Sequence, residues 1–280
     1  MAASFGAEII KLRKRPATWV IGFIFALATL LFGYLFTYLF VVSAPAGGAG
    51  LPEQAREGIL SFLLPESFLA NVVGTFASFG SALALILGAL AMGSEYGWDT
   101  FKVSLTQRPG RLGFLAGKLL AVGVLLLVVT VAILAVGAAA SYAIAVFEDA
   151  AVEWPSPVEL LKGVGAGWLI LCTFAAMGVA LAALFRGTAL AIGIGLVYLL
   201  VLENLFLGLT SQSETVADIG RRLPAKNSLD LSETFGRTPP AFGGAPGEAV
   251  EPATAALTLG VYAVAFLVLA VVLFKNRDVT

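Results

Sequence analysis

Charged side chains make up 12% of the 280 residues, and they gather rather than scatter. The densest passage is GSEYGWDTFKVSLTQRPGRLGFLAGK, residues 93–118, with Glu95, Asp99, Lys102, Arg108, Arg111 and Lys118 between two uncharged runs. A basic cluster, Lys11, Arg13, Lys14 and Arg15, precedes the first apolar run. Glu203 is the one acid inside a long apolar stretch. An ionisable group there is costly and marks function by default. Other chemistry has little to work with. The chain has no histidine, which removes the commonest metal ligand and general base. Its single cysteine, Cys172, can neither close an intrachain disulfide nor build a thiolate metal site alone. The nearest approach to a phosphate-binding loop is GFLAGKL, residues 113–119. It has three residues between its glycines and Leu after its Lys, where such a loop needs four and then Ser or Thr. Gly113 and Gly117 read instead as a close-packing GxxxG pair. We therefore expect no catalytic residue, no metal site and no enzyme.

These residues must be positioned by elements that sit in lipid. The chain is 59% hydrophobic, well above a soluble domain, and the excess lies in long uncharged runs. Six stretches are long enough to cross a bilayer: about 17–42, 68–92, 119–146, 163–184, 188–209 and 253–274. The first is about 25 residues long, too long for the apolar core of a cleaved signal, so it reads as a retained helix. Lys and Arg concentrate at 11–15, in the break after span two, at Arg186 and at Lys275 and Arg277. That asymmetry, with an even number of spans, puts both termini in the cytoplasm. The acidic loop 147–161 then lies outside, with Trp154 and Trp168 as candidates for the outer interface. The expected fold is an all-α polytopic membrane protein with a short N-terminal helix, residues 1–16, ahead of a six-helix domain, residues 17–280.

Three further segments carry information. In SFGAEIIKLRKRP, Phe5, Ile9 and Leu12 share a face that Ile10 widens, Ser4 can cap the start and Pro16 favours an end at Arg15. This is a basic amphipathic helix suited to the interface. Within 93–112, Asp99 can cap about two turns with Phe101 and Leu105 on one side, stopped by Pro109 and Gly110. The loop 210–252 divides into a first half with helix formers and a second half rich in Pro and Gly. On span two, Asn71, Thr75 and Ser78 form a helically spaced polar stripe. Such a stripe serves close packing, or lines a pathway, or both. Glu203 can pair with Arg221 or Arg222, and gating and substrate contact are both open to it.

The order of these features resembles an ABC-2 type transporter permease of bacteria. AEIIKLRKRPATWV is similar to the family's opening, and EYGWDTFKVSLTQRPGRLGFLAGKLL to its most recognisable segment, through Glu95, Gly97, Thr100, Pro109, Arg111, Gly117 and Lys118. The usual Gly-Thr neighbours are here separated by Trp98 and Asp99. VYLLVLENLF in span five and the terminal FKNRDVT also look like bacterial members. The resemblance implies an exporter subunit of the bacterial plasma membrane. It implies dimerisation with a second permease copy, identical or related, and docking on two copies of an ATP-binding subunit. ATP and Mg belong to that subunit, no cofactor to this chain, and nucleic acid is no partner. By the same resemblance residues 1–16 are the connecting helix, and 93–112 the coupling segment. Its contact residues would be Glu95, Tyr96, Trp98, Asp99, Thr100, Phe101, Leu105, Arg108 and Arg111. Spans two and five would face the dimer seam, placing Asn71, Thr75, Ser78, Tyr198, Glu203 and Asn204 on the substrate path. Readings without an ATPase are an ion-gradient-driven transporter and a non-transport membrane scaffold.

Overall fold

The structure, a computed structural model, describes residues 2–43, 52–97, 111–209, 214–236 and 249–276. It is helical throughout, with no strand among the described residues. Six helices are long and apolar enough to span a membrane: Pro16–Ser43, Pro65–Glu95, Gly113–Phe147, Pro157–Phe185, Thr188–Gly208 and Pro252–Lys275. These are spans one to six, and the protein is a multi-pass membrane protein. Each expected stretch coincides with one of them, and the ends differ where caps decide. Span four begins earlier than the apolar run because Ser156 and Glu159 form a reciprocal capping box ahead of it. It ends at Arg186, whose φ of 53° turns the chain sharply into span five. The helix containing span three is 37 residues long, Arg111–Phe147. At 1.5 Å per residue that exceeds a ~30 Å hydrocarbon core, so the helix is longer than the core is thick.

Spans two and four form the buried centre, and the others turn most of their surface outward. Their contact depends on glycine. A Cβ at Gly88 would run into the carbonyl of Ala175, and one at Gly178 into the carbonyl of Leu85. Without side chains at both places the two backbones approach closely, as small residues allow in lipid. Around this seam pack Leu85, Phe174, Val72 and Phe76, with Phe25 of span one edge-on to Phe76 at 5.3 Å. Trp19, Phe23, Val128, Leu200 and Val261 stay exposed, the surface a bilayer requires.

Four shorter helices lie outside the spans among the described residues. The N-terminal helix is Ala2–Lys14, and Arg15 is extended before Pro16 opens span one. Ser4 does not cap it: the helix starts earlier and Ser4 is buried inside it, against Gly117. Leu12 is buried and Phe5 and Ile9 pack on the core, but Ile10 is exposed. Helix Glu53–Leu63, between spans one and two, buries Ile59 and Leu63. Helices Glu214–Gly220 and Pro224–Glu233 occupy the first half of the loop before span six, as expected. The proposed helix capped by Asp99, and the Pro- and Gly-rich half of the long loop, lie largely outside the described residues. Trp154 is half exposed and edge-on to Phe68. Trp168 bridges two spans, its indole donating to the carbonyl of Gly123 at 2.9 Å.

Candidate functional site

The charges at the foot of the bundle are used internally. Lys118 Nζ donates to Glu8 Oε2 at 3.0 Å, Glu95 Oε1 at 2.9 Å and the carbonyl of Ala91 at 3.1 Å. Those three bonds use every proton an ammonium has. Lys11 Nζ donates to Glu8 Oε1 at 2.8 Å and to Glu95 Oε1 at 2.6 Å. Glu8, Glu95 and Lys118 are all nearly inaccessible, and the two acids balance the two bases. Arg15 adds a bond to Ser94 Oγ at 2.8 Å. Local structure makes this possible. Glu8 and Lys11 lie one turn apart on the N-terminal helix. Ala91 and Glu95 lie one turn apart at the end of span two. A Cβ at Gly117 would sit 2.8 Å from Ser4 Cβ, so its absence lets the N-terminal helix lie against the start of span three. Burial pulls the Lys11 ammonium down, but Glu8 and Glu95 more than reverse that and hold it above its ordinary 10.5.

The arrangement is a clamp. It fastens the N-terminal helix to the last turn of span two and the first turns of span three, on either side of residues 96–112. Glu95, expected at the partner-facing surface, directs its carboxylate inward to two lysines of this chain. One oxygen, Oε2, has no hydrogen-bond partner among the described residues. Tyr96 and Arg111 continue the flanking helices. Trp98, Asp99, Thr100, Phe101, Leu105 and Arg108 lie outside the described residues. The sequence showed the charges but not the pairing, because Glu8 and Lys118 are 110 positions apart.

Farther along span two, Asn71, Thr75 and Ser78 line a cleft of about 180 Å³ between spans one and two and helix Pro224–Glu233. Asn71 Nδ2 donates to the carbonyl of Gly33 at 2.8 Å, and Thr75 Oγ1 lies 3.3 Å from Thr29 Oγ1. The stripe therefore packs spans one and two together and also faces a cleft. Both walls are π-helical, Thr29–Leu35 in span one and Phe76–Gly80 in span two. These widened turns bring Phe32 and Phe79 into a stacked pair at 5.0 Å. Such turns are frequent at functional sites.

Tyr198, Glu203 and Asn204 do not line this cleft. A third π-helical turn, Tyr198–Leu202, leads directly into Glu203, which is 1% exposed. The Glu203 carboxylate accepts from the backbone N–H of Ala225 through Oε1. Helix Pro224–Glu233 has no side-chain cap of its own, so an acid from span five stabilises its N-terminus. Proximity in sequence had pointed to Arg221 and Arg222, and a backbone partner leaves no trace in residue types. Asn204 is exposed and donates to Leu199 and Leu200 carbonyls of its own helix, both at 3.2 Å. Within helix Pro224–Glu233 a buried Lys226–Asp230 pair, one turn apart, closes at 2.5 Å. Asp230 Oδ2 also accepts from the backbone of Val250, just ahead of span six, at 3.2 Å.

No curated protein matches the chain. Residues 52–280 match the family described as protein of unknown function, DUF2705. The match takes in spans two to six with Glu95, Lys118, the stripe on span two and Glu203, and begins after Glu8 and Lys11. Because it covers most of its length, the chain belongs to the DUF2705 family.

Proposed function

We propose that the chain is the membrane-spanning permease subunit of an ATP-driven ABC-2 type exporter in a bacterial plasma membrane. It works as a dimer with both termini cytoplasmic and docks on a separate ATP-binding subunit that holds ATP and Mg. The observation that carries this reading is the buried clamp of Glu8, Lys11, Glu95 and Lys118. A push on residues 96–112 would reach spans two and three and the N-terminal helix as one unit. Span two then carries the displacement to the polar, π-helical cleft about five turns away. The chain contributes the path and the lever, and the partner contributes hydrolysis. An affinity-tagged chain extracted from its native membrane is expected to bring an ATP-binding subunit with it and to show no ATP turnover without it. Recovery of the chain with no such subunit, together with transport in sealed vesicles lacking ATP, would sink the proposal.

A second reading, an ion-gradient-driven transporter, draws on Glu203. It is a buried acid within a span, and its Oε2 lacks a partner among the described residues. Transport that follows a proton or sodium gradient, and is lost in Glu203→Gln while ATP makes no difference, would select it.

A further inference from the structure

The four bases of the N-terminal cluster divide into two kinds. Lys11 is held by Glu8 and Glu95, and Arg15 by Ser94. Arg13 and Lys14 point away, exposed, and form no ion pair with the described residues. Arg13 stands at the mouth of a groove of about 580 Å³ between spans one and three. The walls are Gly22, Phe23 and Ala26 on one side and Val128, Ala132 and Val136 on the other, with Thr18 near the mouth. Along span three the lining runs from Val124 to Val136, about 18 Å at 1.5 Å per residue. Phe23 is 68% and Val128 60% exposed, so the groove opens onto the outer surface of the bundle. Trp19 fixes the mouth, its indole donating to the carbonyl of Arg13 at 2.8 Å. No side chain caps the start of span one beside it, so a positive helix end faces the same place.

We propose that this groove holds one acyl chain of an anionic phospholipid, with its phosphate seated at Arg13 and Lys14. A long apolar slot with Arg13 at its mouth, and the exposed Lys14 next to Arg13 in the chain, matches the division of a lipid into tail and charged head. The slot's volume lies in the ordinary range for a bound small molecule. A second copy of this chain fits less well. At this end of the bundle the acids among the described residues are Glu8 and Glu95, both buried in the clamp. A copy therefore brings no described anion to Arg13. The bound lipid would brace the N-terminal helix against spans one and three at the clamp. The inference stands whether or not the chain works with an ATPase.

The test uses the full-length chain in detergent with added phosphatidylglycerol or phosphatidylcholine of identical tails, read by native mass spectrometry of retained lipid. The wild type is expected to retain the anionic lipid preferentially. Arg13→Gln is expected to reduce that preference about fivefold, the factor one basic side chain contributes near an anionic surface. A Cβ at Gly22 would meet nothing within 4 Å, so Gly22→Leu adds a side chain at a lining position whose backbone leaves room for it. This variant is expected to lose retention of both lipids and keep its thermal midpoint in lipid-free detergent. Equal retention of the two lipids by the wild type overturns the headgroup seat, as does an unchanged preference in Arg13→Gln. Unchanged retention in Gly22→Leu, or a change of oligomeric state instead, overturns the acyl slot and assigns the groove elsewhere.

Discussion

At the residue scale, one lysine holds the foot of the bundle together. Burying a pair of charges gains little over burying well-packed apolar groups, but removing one partner leaves the other uncompensated. Lys118→Met leaves two buried acids, Glu8 and Glu95, to share Lys11 alone, and is expected to cost about 3–5 kcal/mol. A large drop in the thermal midpoint in detergent would register it. Replacing all four charged residues by apolar ones of similar size is expected to recover most of that loss. Lys11 supplies a pH test. Its folded-state value lies above the ordinary 10.5. A base raised on folding stabilises fully below its unfolded value, and the contribution is lost as pH climbs through the folded value. The midpoint difference between the wild type and Lys11→Met is therefore expected to stay constant through neutral pH. It should close above about 10.5. A difference that closes on acidification instead would assign the contribution to a carboxylate.

At the scale of elements, the seam between spans two and four is set by missing side chains. Gly88→Ala places a methyl group against the Ala175 carbonyl, and the spans must separate. A loss of about 1–3 kcal/mol is expected, as for overpacking in a tight core. Gly193 meets nothing within 4 Å, so Gly193→Ala is the matched control and should leave stability unchanged. Size-exclusion profiles after graded heating compare the two, and equal effects would mean that this close approach is not what stabilises the seam. The same seam explains a limit of reading by composition. The apolar runs predicted that spans two and four are helices, but a glycine in a run of alanines and leucines does not announce which helix it touches. The π-helical turns were equally hidden. Two of them accompany contacts of Gly33 with Asn71 and of Phe32 with Phe79, pairs contributed by different spans.

At the scale of the whole molecule, the proposed topology puts both termini on one side of the membrane. In a Cys172→Ser background, Lys14→Cys and Lys275→Cys are expected to react with an impermeant thiol reagent from the same side. Glu153→Cys, between spans three and four, should react from the other side. Labelling of residues 14 and 275 from opposite faces would break the topology. What the sequence by itself determined follows from one-body physics. A run of about 20 apolar residues partitions into lipid as a helix whatever surrounds it. So the span count, the amphipathic N-terminal helix and the ionisable residues worth watching were all legible. Glu95, Glu203, Asn71, Thr75 and Ser78 could be picked out as unusual in their settings. What they do was decided by tertiary structure, because a buried polar group is defined by its partner. Glu95 became part of a clamp only when folding brought Lys11 and Lys118 to it. Glu203 became the cap of a helix beyond its own span through an amide that every residue but proline carries.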